Sequence, residues 1–242
     1  MLSEIKNILK RWPSFYHCVK MSYYFFREVI ETKILGTRFQ EWIWKTRHLY
    51  KDRDWGIQYL QSVDHPHREQ VITAIAFFYP FKRVLEIGCN AGPNLILLSK
   101  KFPDVKFIGV DINKKAIEII KEHVMNSDIK NIEVFVGKAD QLSWIEDKNI
   151  DVVFTDAVLM FVGPDKIRKV LKEMHRVVCK GLVLNEYHSD NPPMHNYDGG
   201  RFVYNYHQLL RECFPSAKYK IRKSSFSGGL WDKYGALIEV NL

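Results

Sequence analysis

The chain has 242 residues, enough for one substantial domain with a real core and a modest appendage. Its 46% apolar and 26% charged residues are ordinary for a globular protein and exclude a disordered one. The formal charge of +8 either favours anionic partners (nucleic acid, acidic lipid headgroups, phosphorylated substrates) or describes a basic soluble enzyme whose Lys and Arg are spread along the chain.

Residues 1–60 are helix-prone, with Trp12, Phe15, Tyr16, Tyr23, Tyr24, Phe25, Phe26, Phe39, Trp42 and Trp44 interleaved with Lys and Arg. Aromatic residues at helical spacing usually pack inward. We therefore read an N-terminal helical cap, with a lid function, on a catalytic domain of residues 61–242. The sharper alternative is a surface that makes peripheral contact with a membrane or an amphiphilic substrate. No stretch approaches the roughly 20 apolar residues needed to span a bilayer, and no signal-peptide apolar region is visible. Cys18, Cys89, Cys179 and Cys213 show no CxxC pair and no metal spacing, so a reducing, cytoplasmic setting is expected.

From Val84 onward, apolar strands alternate with helical patterns, the signature of a parallel sheet with crossover helices. Arg83 to Ile87 reads as the first strand. Gly92-Pro93 then opens a helix over Asn94 to Lys101, with Pro93 suited to its first position. Val105 to Val110 is the second strand, ending at Asp111, and Asn113 can cap a helix from Lys114 to Val124. Ile132 to Val136 and Ile150 to Thr155 are the third and fourth strands.

Pro164 starts an amphipathic helix through Val177, with Ile167, Val170, Leu171 and Met174 on one face. Leu182 to Asn185 is the fifth strand, followed by an irregular stretch from Asp190 to Gly200. Tyr204 to Cys213 reads as helical, and Ala217 to Ile221 and Ala236 to Val240 are two last strands around a Gly-rich loop. The fold class is therefore α/β. It is a seven-stranded, mostly parallel sheet with an antiparallel terminal hairpin and helices on both faces.

The strongest signal runs from Val84 to Asn94: a buried strand, a glycine-bearing turn and a helix N-terminus. Glycine lets backbone approach a ligand closely, and such a ligand lies outside the carboxyl ends of the strands. Asp111 follows about 20 residues later, where a carboxylate can accept both ribose hydroxyls. Asp140, after Ala139 and the third strand, can accept a hydrogen bond from an adenine amino group.

These residues resemble the class I S-adenosylmethionine-dependent methyltransferases, over roughly residues 65–242. Glu86-x-Gly88-x-x-x-Gly92 is the most specific motif. The resemblance implies S-adenosylmethionine as cofactor. Glu86 then helps hold its methionine part at the Gly88 and Gly92 turn, with Asn90, Asn94, Ile112 and Ala139 alongside. Asp111 meets the ribose and Asp140 the adenine. Asn90 departs from the glycine of many members. His65-Pro66-His67-Arg68 looks like a segment that closes over the cofactor, where Arg68 or His67 pairs with its carboxylate; a solvated helix-start turn is the plainer reading.

A nicotinamide-dependent dehydrogenase shares this alternation but needs G-x-G-x-x-G for its pyrophosphate. Glu86 holds the first glycine position, where a carboxylate repels a diphosphate and suits an ammonium.

The acceptor should border the ends of strands four and five. His188 is the expected base, since an imidazole titrates near neutrality, with Asp156 and Glu186 orienting it or binding acceptor hydroxyls; a water-facing loop histidine is the plainer reading. No metal is expected. Asn191-Pro192-Pro193-Met194 follows strand five rather than strand four and lacks a stacking ring, which counts against base methylation. Gly199, Gly200, Arg201, Tyr197, Tyr204 and Tyr206 form a loop suited to a polar ring substrate.

The expectation is methylation of a small molecule or a saccharide hydroxyl, the sugar on a lipid-linked glycan in the most specific version. Nucleic acid is not expected as the acceptor. RNA or protein methylation is the second hypothesis, on charge alone, and a non-catalytic partner subunit the third.

Overall fold

The apolar strand patterns become a single sheet in a computed structural model of the protein, which describes residues 36–49, 55–192 and 201–242. Parallel strands β1 (Arg83–Ile87), β2 (Lys106–Asp111), β3 (Ile132–Val136), β4 (Ile150–Asp156) and β5 (Val178–Tyr187) are followed by antiparallel β6 (Lys218–Lys223) and β7 (Gly235–Asn241). Their spatial order is β3-β2-β1-β4-β5-β7-β6. The order reverses between β1 and β4, so the carboxyl ends of these two strands border a crevice.

Side chains of β1 alternate between two apolar layers. Val84 packs with Val71 and Ile75 of α3 (His67–Ala76), Leu95 and Leu98 of α4 (Pro93–Lys101), and Ile117 and Ile120 of α5 (Lys114–Met125). Leu85 and Ile87 face the other way, toward Val170, Leu171 and Met174 of α6 (Ile167–Val177) and Leu209 and Leu210 of α7 (Tyr206–Cys213). Two further helices, α1 (Gly36–Thr46) and α2 (Trp55–Gln61), precede α3, and α8 (Leu230–Tyr234) lies between β6 and β7.

Several borders differ from the sequence expectation, each for a local reason. Helix α6 begins at Ile167 rather than Pro164. The N–H groups of Lys166 and Ile167 both donate to the Gly163 carbonyl, and Asp165 is turned away to accept from the Thr37 hydroxyl at 2.6 Å. Strand β5 spans ten residues rather than four because β4 and β7 pair it on its two sides. Helix α7 starts at Tyr206, where Asn205 caps it by accepting from the Gln208 N–H; Tyr204 instead bridges to His188. The Gly-rich loop contains α8, whose five residues are too few to show a helical period.

Of the N-terminal aromatics, those from Trp12 to Phe26 lie outside the described residues, as do Met194, His195, Tyr197, Gly199 and Gly200. Phe39, Trp42 and Trp44 lie on α1, which is docked by Thr37. The Thr37 hydroxyl donates to Asp165 and accepts the Gly163 N–H at 2.8 Å. Among the described residues, no helix is long and apolar enough to cross a membrane.

Candidate functional site

The turn after β1 carries three left-handed residues, Gly88 (φ 75°), Asn90 (φ 51°) and Gly92 (φ 74°). A Cβ on Gly88 would stand 2.8 Å from Val158 Cγ1 and closer still to Cγ2. Asn90 takes the place of a glycine because asparagine tolerates this region, and its side chain accepts the Ala91 N–H at 2.8 Å. The turn is anchored by the Gly88 and Cys89 N–H groups, which donate to the Val110 carbonyl.

Glu86 lies buried below this turn. Its Oε1 accepts from Asn94 Nδ2 at 2.8 Å, whereas its buried Oε2 has no hydrogen-bond partner among the described residues. Burial pushes the Glu86 carboxyl well above its usual range, against the Asn94 hydrogen bond. An acceptor oxygen held without a donor is costly and suits a cation arriving from outside.

The Asp111 oxygens accept the Asn90 and Asn113 N–H groups at 2.8 Å each. Burial raises its carboxyl too, opposed by those backbone donors. Asp140 takes ion pairs at 2.9 Å from both Lys166 and Lys169, which hold it below its usual value although burial pushes the other way.

Gly88, Asn90, Asp111, Ile112, Ala139 and Asp140 all line one cavity of about 600 Å³. Glu86, Gly92 and Asn94 stand behind its wall. Arg68 lies deeper than expected: its guanidinium donates to Asn94 Oδ1 (2.9 Å) and Ser62 Oγ (2.7 Å) and sits 3.7 Å from Asp156 Oδ2. Asn94 is therefore a hub between Arg68, Glu86 and Asp156.

The three acceptor-side expectations separate. Asp156 lines the cavity and receives hydrogen bonds from Asn185 Nδ2 (2.7 Å) and Asn94 Nδ2 (3.1 Å). His67 Nε2 lies 3.1 Å from Asp156 Oδ2. Burial pushes the Asp156 carboxyl up, but these partners outweigh it and hold it below its usual range. Glu186 is buried behind the wall, where its oxygens accept the N–H groups of Val158 (2.9 Å) and Met160 (3.1 Å). It shapes the turn after β4, in which Ala157 is also left-handed (φ 59°).

His188 stands outside the cavity lining. Its Nδ1 accepts the Tyr206 N–H at 3.2 Å, so the neutral ring carries its proton on Nε2, which points toward Asp190 at 3.6 Å. Neither nitrogen offers a free lone pair to an acceptor. The same tautomer disfavours a metal in the surface cluster of His188, Asp190 and His207.

Sequence reasoning named Trp44 and Arg201 but did not bring them together as the other half of the cavity. Trp44, Arg47, Trp55, Tyr59, Phe161, Tyr187, Arg201, Phe226 and Trp231 line it. These residues come from six segments that only the folded chain brings together, and aromatic residues near Arg in a sequence do not reveal that they share a wall.

A family profile described as a methyltransferase domain matches residues 84–181. The chain is 27% identical over 139 residues to the human tRNA N(3)-cytidine methyltransferase METTL6, a match covering 55% of this chain and 45% of that protein. It is 28% identical over 123 residues to the tRNA (guanine-N(7)-)-methyltransferase of Pediococcus pentosaceus, covering 47% of this chain and 56% of the relative. The chain thus spans about half the length of these curated relatives. The magnesium protoporphyrin IX methyltransferase of Synechocystis, solved with bound S-adenosylmethionine, shares the fold with a TM-score of 0.55 at 16% identity, over 85% of this chain and 91% of that one. Residues 84–181 thus match a methyltransferase domain, and the chain shares the Rossmann-like fold of solved S-adenosylmethionine-dependent methyltransferases.

Proposed function

We propose that the protein is an S-adenosylmethionine-dependent methyltransferase acting on a hydroxyl of a small, ring-bearing acceptor, a saccharide foremost. One observation carries this reading: the cofactor row from Gly88 to Asp140 and the aromatic half around Asp156 open into a single cavity of about 600 Å³. That volume is in the range of small-molecule sites, so a cofactor and one further ring would fill it.

The residues present fit the cofactor. The unpartnered Glu86 Oε2 suits an ammonium group, the close-packed Gly88 leaves room only for backbone approach, and Asp111 presents an anchored carboxylate to ribose hydroxyls. When bound, the cofactor supplies a methyl group on a sulfonium, ready for in-line displacement. The chain's own work is alignment and exclusion of water. Asp156, kept ionised by its donors, accepts a hydrogen bond from the acceptor hydroxyl, with the Arg68 guanidinium 3.7 Å away to balance its charge. Glu186 holds the turn from Val158 to Met160 against the acceptor.

A second reading, methylation of a tRNA base, is favoured by the names of the two curated relatives. Radiolabelled methyl transfer from S-adenosylmethionine to a saccharide panel and to unmodified tRNA separates the two. We expect label in a saccharide and its loss in Asp156→Asn; label in tRNA alone would replace the first reading with the second.

A further inference from the structure

Helix α1 presents Thr37, Gln40, Glu41 and Trp44 at the i, i+3, i+4, i+7 spacing of one helical face, and all four line the cavity. The helix is held across the carboxyl ends of three strands. Beyond β4, Asp165 and Gly163 bond Thr37. Beyond β3, Lys138 pairs with Glu41 at 2.6 Å, and beyond β2, Asn113 donates from Nδ2 to the Trp44 carbonyl at 2.8 Å. Glu41 also pairs with Lys166, which in turn pairs with Asp140 at 2.9 Å. Gln40, next to Glu41 on this face, therefore stands toward the Asp140 end of the cavity.

Gln40 is 3% exposed, yet its Nε2 has no hydrogen-bond partner among the described residues. A buried amide donor without an acceptor is costly, and an apolar residue would fill the same place without that cost. The neighbouring side-chain donors are engaged: the Thr37 hydroxyl with Asp165, Lys138 with Glu41, Lys166 with Glu41 and Asp140, and Lys169 with Asp140. An ionised carboxylate only accepts, so Asp140 can meet an amino group but not a ring nitrogen. An aminopurine offers both kinds of partner side by side, and Gln40 supplies the donor that Asp140 lacks.

We propose that Gln40 recognises the adenine of the cofactor, its amide N–H donating to a ring nitrogen while Asp140 faces the amino group. Helix α1, outside the matched residues 84–181, is then part of the cofactor site. The inference rests on reading this cavity as the S-adenosylmethionine site, and it adds a residue that the reading does not contain.

The test is calorimetric titration of the full chain with S-adenosylhomocysteine and with its 1-deaza, 3-deaza and 7-deaza analogues, each of which replaces one adenine ring nitrogen by carbon. At least one analogue should bind the wild type at least about tenfold more weakly than S-adenosylhomocysteine, because it leaves the Gln40 donor unpaired. Gln40→Met, close in volume and without a donor, should weaken S-adenosylhomocysteine by a similar factor and abolish the deficit of that analogue. The thermal midpoint of the free variant should stay level or rise, since a buried unpaired donor has been removed. A side chain that only packed α1 would lower the midpoint and leave the deficit in place.

Binding of S-adenosylhomocysteine by Gln40→Met within about twofold of the wild type would overturn the proposal. So would a deficit that persists in the variant, or a wild type that binds all four ligands alike. A wild type that binds none of the four is a different result: it removes the cofactor reading of the cavity, and this proposal with it.

Discussion

Replacing Gly88 with alanine tests whether the first turn is built for close backbone approach. Its φ of 75° lies where an L-residue with a Cβ loses about 1–2 kcal/mol. The added methyl would stand 2.8 Å from Val158 Cγ1, an overlap of the kind that costs about 1–3 kcal/mol in a packed interior. Gly88→Ala should therefore lower the unfolding free energy by about 2–5 kcal/mol, read by urea denaturation. Val158 lines the cavity, so its displacement should also weaken binding of S-adenosylhomocysteine. The double variant Gly88→Ala/Val158→Ala removes the overlap but not the backbone cost, and should be at least about 1 kcal/mol more stable than the two single changes sum to. A Gly88→Ala protein within about 0.5 kcal/mol of the wild type would refute the reasoning.

Other expectations follow from buried groups. Burial pushes the Glu186 carboxyl to about 7 against the N–H donors of Leu159 and Val158. A carboxyl raised on folding binds more protons in the native state, so stability should fall as pH rises from about 4.5 to about 7, by at most about 3 kcal/mol; denaturation across that range should show Glu186→Gln flattening the slope, and an unchanged slope would contradict the assignment. Glu86→Gln exchanges the unpartnered oxygen for an equally unpartnered amide, so unfolding of the free protein should lose about 1–3 kcal/mol at most, while S-adenosylhomocysteine weakens at least about tenfold in calorimetry. Thr37→Val breaks two of the hydrogen bonds that dock α1, so amide exchange over residues 36–46 should accelerate and sugar binding should weaken while cofactor binding persists.

Much of the fold is legible in the sequence because its signals are local. Strands β1 and β3 have the expected borders, since each is a short apolar run closed by turn residues. Asn113 caps α5 as its position suggests, accepting from the Ala116 N–H. The row of Gly88, Asp111 and Asp140 along the cavity is legible for the same reason: each closes or follows a strand at its carboxyl end. The acceptor half is not. The pairing of His67 with Asp156 joins residues 89 positions apart, and Trp44 meets Phe161 across more than a hundred. The Tyr206 N–H that His188 Nδ1 accepts is equally illegible, because the bond depends on how the chain returns after β5. Such contacts come from topology, and no spacing rule encodes them.

The central claim is the cofactor site, and calorimetric titration of S-adenosylhomocysteine into the wild type and Asp111→Ala tests it most directly. The Asp111 carboxylate stands at the end of β2, where it accepts two backbone N–H groups, so its removal deletes the group proposed to meet the ribose while leaving the strand pairing in place. Saturable one-to-one binding to the wild type is expected, with a loss of at least about tenfold in the variant and unchanged unfolding cooperativity. No binding to the wild type, or equal binding to both proteins, would contradict it.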